Sequence, residues 1–415
     1  MCDAGYATAP RVGLGKSAGV LINSVLERGI QYLKTPLRIA LVRAAAWRRA
    51  RLPGIRFVGI TGSCGKTTTK ELLADCLALQ ASCTRSRESN NSVWSVAKTI
   101  LQTPPHRGFC VAELGTNGPG DIAPMAALLQ PHLAMVTCIA PAHTEGLGSL
   151  ENIAREKSEL LRAILKGGTA VLLREEPYFE LLQRAVPTHA RLVTVSMAGK
   201  ADYTGTATDP AQGVFEIVEA ASNLRQRISL SIPGRPQMIN SLFATAAARA
   251  LGAQWPDIAR ALEQFTGLPM RWQRNEHGGI TVINDAYNAN PASMKMALET
   301  FAGLRVAGGK WLVFGGMREL GEREREEHIA LGRLIAQGDW AGLISVGELG
   351  GLIAGEARNA GFPGDRIESC AGTDGAARAL AQRVRAGDAV LIKASRAFKM
   401  ERVEAEWIHL LKRGH

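Results

Sequence analysis

The chain has 415 residues, 46% of them hydrophobic and 21% charged, enough apolar chain for two or three cores; a disordered tail and a disulfide-stapled mini-domain are both excluded. Seven cysteines without a C-x-x-C pair argue against a structural zinc ribbon or a secreted disulfide framework and point to a reducing, cytoplasmic compartment. No uncharged apolar run is long enough to span a bilayer, and the opening MCDAGYATAPR lacks the basic-then-apolar layout of a signal peptide. The net charge of +11 is unevenly placed: residues 1–55 hold nine Lys/Arg against two acidic residues, so seven of the eleven net charges lie there. Without basic and aromatic interleaving, nucleic acid is a poor partner for this arm. Peripheral contact with an anionic membrane or an acidic protein fits it at least as well.

From Ser17 to Arg51 apolar residues recur at spacings of three and four, cut by Pro36, which predicts a pair of basic helices ending at Pro53-Gly54. Arg56–Ile60 then reads as a buried strand running into a glycine-rich turn and a helix that begins near Lys66. Strand Phe109–Glu113, helix Ile122–Leu129, strand Ala134–Ile139, helix Leu150–Leu165 and strand Thr169–Leu173 continue the rhythm of a parallel α/β sheet. Between Tyr203 and Pro233 short strands (Phe215–Val218, Ile228–Ile232) predict an antiparallel excursion before an alanine-rich helix, Asn240–Leu251. A boundary is expected near Gly267-Leu268-Pro269. Beyond it, Ile280–Ile283, Trp311–Phe314, Leu343–Val346 and Ala389–Ile392 are the strands of a second, smaller α/β unit.

The strongest local signal is Gly59-Ile60-Thr61-Gly62-Ser63-Cys64-Gly65-Lys66-Thr67-Thr68-Thr69. Between a strand and a helix, small residues let backbone N–H groups close around phosphate oxygens. The helix N-terminus adds positive potential, Lys66 brings a point charge, and Thr67 can offer its hydroxyl to Mg²⁺. Ile60 stands where the general phosphate-loop pattern has its first glycine, yet Thr61 to Thr68 still form the cradle of a nucleoside triphosphate. The expected fold is therefore α/β throughout: a basic helical segment (1–54), a central P-loop-type parallel-sheet ATPase domain (55–267) and a smaller Rossmann-like C-terminal domain (268–415).

At six separated blocks the chain resembles the Mur ligase family: TGSCGKTTTKELL from Thr61, AELGTNGPGDI from Ala112, PAHTEGLGSLENIAREKSELL from Pro141, NDAYNANPASM from Asn284, FGGMRELGE from Phe314 and LIKASRAFKMERV from Leu391. It is most similar to the branch that joins D-alanyl-D-alanine to a UDP-N-acetylmuramoyl tripeptide. The resemblance implies an ATP- and Mg²⁺-dependent amide ligase, in which the γ-phosphate passes to a small-molecule carboxylate and the acyl phosphate is attacked by an amino-acid or dipeptide amine. It further implies that Thr67, Glu113, His143 and a carbamylated Lys157 hold metal, and that Asn240 meets the adenine region. By the same likeness Asp285 accepts from the ribose, Asn288 shapes the nucleotide pocket, and Arg271 reaches the phosphates from the domain junction. Lys66, His143, Lys157 and Arg271 are the implied catalytic set. From the residues alone, Asn240 could equally cap the helix it begins, and Arg271 could pair with a surface acid. Glu319, His328, Lys393, Ser395 and Arg396 match the family in the last unit, which is expected to close over the site.

The branch carries a folded N-terminal domain for the uridine nucleotide, whereas 54 residues precede the phosphate-loop domain here. Trp94, Cys138, Arg235-Pro236-Gln237 and Ala394 replace residues usual at substrate-facing blocks. These departures predict a ligase acting on a carboxylate other than the standard UDP-muramoyl acceptor. The alternatives are a divergent cell-wall ligase and a catalytically silent nucleotide-binding scaffold. The joint presence of Lys66, Thr67, Glu113, His143, Lys157, Arg271 and Asp285 speaks against the scaffold.

Overall fold

Ile55–Thr61, an almost unbroken apolar run, forms the strand β1 around which the first sheet is laid in the computed structural model, which describes residues 36–106, 108–141 and 144–413. With β2 (Ser82–Arg85), β3 (Gly108–Glu113), β4 (Leu133–Val136), β5 (Thr169–Leu173), β6 (Arg191–Ser196), β7 (Tyr203–Asp209), β8 (Val214–Glu219) and β9 (Leu224–Ser229), it makes nine strands in the order β2-β3-β1-β4-β5-β6-β7-β8-β9. From β2 to β7 neighbours are parallel; β8 and β9 return antiparallel. The central parallel strands β3, β1 and β4 are buried on both faces, as crossover helices require. Val58, Ile60, Val111 and Met135 face the helices Lys66–Ala78 and Arg235–Ala250. Phe57, Cys110, Ala112 and Val136 face Val93–Gln102, Ile122–Leu129 and Leu150–Arg162.

The second sheet contains β10 (Gln273–His277), β11 (Ile280–Asn284), β12 (Lys310–Phe314), β13 (Gly342–Val346), β14 (Ile367–Cys370) and β15 (Ala389–Lys393), ordered β10-β11-β15-β12-β13-β14. Only the edge strand β10 is antiparallel. Two cores flank this sheet, one built on Leu312, Phe314 and Leu391, the other on Val313, Ile344 and Val390 with Trp407.

Several expected boundaries moved. Strand Ala134–Ile139 stops at Val136, because the backbone from Thr137 onward bonds to the loop after β1 and to Glu176. The helix expected at Asn240 starts at Arg235, where Gly234 turns at φ 105° and Pro236 sits in the first turn. The antiparallel strand expected at Ile228–Ile232 lies at Leu224–Ser229. Of the expected pair of N-terminal helices, residues 36–49 form one, beginning at Pro36; the other lies outside the described residues. No helix among the described residues is long and apolar enough to cross a membrane.

A buried polar knot fastens the antiparallel excursion to the sheet. Glu219 accepts from Tyr203 at 2.6 Å, Ser222 at 2.8 Å, and Arg249 and Trp255 at 3.2 Å. Burial opposes the charge, but these donors together outweigh it and hold the carboxyl at about 2. Its stabilisation is therefore present above the unfolded-state value and is lost as the pH falls from about 4 to 2. Glu219→Gln should cost roughly 2–4 kcal/mol at neutral pH. Urea unfolding at pH 7 and pH 3 checks this: the gap from the parent should shrink at pH 3, and an equal gap at both would reject the account.

Candidate active site

The strand order turns back on itself at β1, so the carboxyl ends of β1, β3 and β4 open a crevice of the kind where α/β sheets collect ligands. Register sets the furniture: Ile60 lies beside Glu113, and Thr61 beside Val136. The loop Gly62–Gly65 is stitched to the chain leaving β4. Ser63 N–H donates to Cys138 O at 2.8 Å, Ser63 Oγ bonds to Ala140, and Cys64 N–H points at Cys138 Sγ at 3.2 Å. Gly62 is obligatory, since at φ 146° a Cβ would meet Thr137 Oγ1 at 2.0 Å. Lys66 Nζ folds back to Gly62 O at 2.7 Å.

Thr67 opens the helix Lys66–Ala78 and joins the two halves of the site. Its hydroxyl donates to Glu113 Oε2 at 2.8 Å and receives Arg271 at 3.0 Å. Arg271 also donates to Ser89 Oγ at 2.7 Å, and its guanidinium lies 4.1 Å above the Tyr287 ring. The pairing with a surface acid is thus replaced by a reach across the domain junction. Glu113 is 1% exposed, takes a second bond from Asn91 at 3.2 Å, and has no ion pair among the described residues. A buried carboxylate beside a threonine hydroxyl, with no cation of its own, is a hard oxygen donor set that fits Mg²⁺.

Ser89 and Asn91 were not among the expected site residues. Their loop is held by Lys70, fully buried one turn after Thr67, whose ammonium donates to Ser86 O at 2.7 Å and to Glu88 O. Glu88 is thereby fixed at φ 50°. A lysine on the inner face of a helix that otherwise buries Leu72, Leu73 and Leu77 was the available signal.

The second sheet supplies the opposite wall. Lys393, at the end of β15, pairs with Asp285 Oδ2 at 2.6 Å and donates to Asn288 O at 3.0 Å, while Trp272 N–H donates to Asp285 Oδ1 at 3.1 Å. Asn290 caps the helix Pro291–Ala302 and touches Cys64 Sγ through its amide at 3.3 Å. Ser395 Oγ donates to Ala289 O and receives Arg318 N–H. Glu319 and Arg396 line the cavity as well. His328 stays outside it: fully buried, it bonds to Met317 N–H at 2.8 Å and shapes the loop that carries Glu319. Enclosed between the walls is a cavity of about 480 Å³ that also reaches Asn240 and Lys157.

Asn240 is not a helix cap, because it sits inside Arg235–Ala250; its Oδ1 accepts from Thr69 at 3.3 Å and lies where a Cβ on Gly65 would be. Lys157 is 2% exposed and makes no ion pair among the described residues. Burial, then the charge of Lys66, pushes it down to about 7. Cys64 is drawn down to about 6 by the hydrogen bond from Cys138, helped by Asn290, Lys66 and Lys393, and Cys138 is raised correspondingly. His143 lies outside the described residues.

A phosphate loop at a sheet switch point, a buried acid beside its threonine, and basic side chains converging from a second sheet define a nucleotide-binding site of the phosphoryl-transfer class. The comparisons agree. Residues 60–248 match the Mur ligase middle domain and residues 270–396 the Mur ligase glutamate ligase domain. The chain is 31% identical over 362 residues to the UDP-N-acetylmuramoyl-tripeptide–D-alanyl-D-alanine ligase of Bacillus subtilis, covering 86% of this chain and 76% of that protein. Among solved structures it is similar to MurF from Acinetobacter baumannii (TM-score 0.81, 26% identity, 90% of this chain, 80% of that one). MurF ligase from Thermotoga maritima in complex with ADP is another (TM-score 0.78, 27% identity, 90% and 85%). The chain belongs to the Mur ligase family and is an ATP-dependent ligase that forms peptide bonds.

Proposed function

We propose that this enzyme adds D-alanyl-D-alanine to a UDP-N-acetylmuramoyl tripeptide. The observation that carries the reading is the likeness, along nearly the whole chain, to ligases named for that reaction; a second is 32% identical over 94% of this chain. The relatives favour this acceptor over the non-standard carboxylate that the substituted blocks had suggested. In the proposed reaction the loop Thr61–Thr68 holds the triphosphate, with Lys66 and Arg271 neutralising charge that builds on the γ-phosphoryl as it moves to the acceptor carboxylate. The dipeptide amine then displaces phosphate. Thr67 and Glu113, with His143 and a carbamylated Lys157, would hold Mg²⁺, which supplies Lewis-acid polarisation of phosphoryl oxygens when bound. Asn240, Asp285 and Asn288 are assigned to the nucleoside end, and Lys393 holds Asp285 and Asn288 in place. Division of the chain at 54/55 and 267/268 is part of this reading: it puts the triphosphate cradle on one unit and the Asp285–Lys393 wall on the other.

Phosphate release with ATP, the muramoyl tripeptide and D-alanyl-D-alanine, followed by mass analysis of the product, tests the proposal. Turnover with another acid and none with this one would reject it. The N-terminal arm adds a separate expectation. The helix over 36–49 leaves Leu37 (71%), Ile39 (49%) and Trp47 (58%) exposed beside Arg38 and Arg43, a pattern suited to an anionic lipid surface or an acidic protein. Removing residues 1–50 should keep nucleotide binding but reduce sedimentation with anionic vesicles; equal sedimentation of both proteins would dismiss a lipid role.

A further inference from the structure

Two of the six described cysteines, Cys64 and Cys138, face each other at the phosphate loop, although they lie 74 residues apart in the chain. The Cys138 sulfur receives the Cys64 N–H at 3.2 Å and donates to the Cys64 carbonyl at 3.7 Å. Neither segment is free to drift. Ser63 N–H is bonded to Cys138 O at 2.8 Å, and the hydroxyl of Thr137 donates to Cys64 O. Both sulfurs belong to residues lining the cavity, so a small solute can reach them while no phosphate lies there. The other buried thiols differ: burial pushes Cys76, Cys83 and Cys110 up to about 12, which leaves them inert, and none lines the cavity.

We propose that Cys64 and Cys138 are a redox-active dithiol, oxidised by low-molecular-weight disulfides of the glutathione class to an internal disulfide that closes across the loop and blocks nucleotide binding. The chemistry is two exchanges. The Cys64 thiolate attacks one sulfur of the small disulfide, forming a mixed disulfide and expelling one thiolate. Cys138 then gives up its proton and attacks the Cys64 sulfur, expelling the second thiolate. The protein loses two hydrogens and two electrons, and the small disulfide becomes two thiols. The resolving sulfur already rests against the backbone of the residue it attacks, so the second step needs little rearrangement.

Closing the bond has a direct consequence for the cradle. Cys64 Sγ now touches Asn290 Nδ2 at 3.3 Å, the N-cap of a helix on the opposite wall. Drawn to covalent distance from Cys138, it gives up that contact and pulls the segment between Gly62 and Gly65 toward β4. Gly62 already abuts Thr137 and cannot yield, so the N–H groups that would face phosphate turn away. The blocking effect rests on the nucleotide reading of this loop; the dithiol chemistry does not.

The test uses the full chain, first reduced with dithiothreitol, then exposed to oxidised glutathione. Non-reducing peptide mapping should find the two segments joined with loss of two hydrogens and no glutathione retained. Cys138→Ser, lacking the resolving thiol, should instead keep glutathione on Cys64. ADP affinity by calorimetry should fall about tenfold or more on oxidation and return with dithiothreitol. Bound ADP should slow the reaction. A parent protein that keeps glutathione as a stable adduct, or shows no linkage between these residues, overturns the dithiol. A mapped linkage with unchanged ADP affinity overturns the blocking role. Reduced protein that does not bind ADP at all faults the phosphate-loop reading instead.

Discussion

Lys66→Ala should reduce acceptor-dependent ATP turnover by about a thousandfold or more, the scale on which removing a charge from a phosphoryl-transfer site acts. The reason is local. Lys66 Nζ is parked on Gly62 O at 2.7 Å, at the lip of the cradle, where it exchanges one backbone acceptor for phosphate oxygens without moving the helix it starts. The helix gains nothing from the charge at its first position, so the variant should fold as the parent does. Phosphate release measured beside circular dichroism checks both halves. Turnover within tenfold of the parent would mean that phosphate transfer happens elsewhere.

The second large effect is expected at Lys157. An ammonium that is 2% exposed, unpaired among the described residues and close enough to Lys66 to feel its charge is poorly placed as a cation. Its value of about 7 makes a large share of the amine neutral at physiological pH, which is the form that adds carbon dioxide. A new N–C bond forms, a proton leaves, and the site gains the anion that Lys66 and a divalent cation would favour. Lys157→Ala should lose about a hundredfold or more in turnover, the scale of losing a metal-site ligand or its support. Formate or acetate should restore part of it by replacing the missing anion. Parent activity should also rise with added bicarbonate as the pH increases through about 7. Full activity of the alanine variant without rescue would dismiss the carbamate.

Legibility followed the type of signal. Strands Thr169–Leu173 and Trp311–Phe314 could be read because each is a short apolar run between turns, and burial on both faces demands such a run. Strands with a polar side were harder. Arg191–Ser196 inside the first sheet, and Gln273–His277 and Ile367–Cys370 at the edges of the second, are polar on at least one side, so composition alone does not separate them from loops. Helix ends slid where local chemistry outbid periodicity, as at Gly234-Pro236. Asn240 shows the cost of such a slip: taken as the first residue of its helix it looks like a cap, while inside the helix it becomes part of the cavity wall.

Residue order alone determined the phosphate loop, the alternation that makes two α/β sheets, and the family, because these depend on neighbours in the chain: a strand, small residues, a lysine and a helix start within a dozen positions. What only the tertiary structure decided are the pairings between distant segments. Arg271 on Thr67, Asn91 on Glu113, Lys70 on Ser86 and Cys138 on Cys64 are set by strand register and by the packing of one sheet against the other. Hydrogen bonds reach only about 3 Å, and no spacing along the chain reports which groups folding will bring that close.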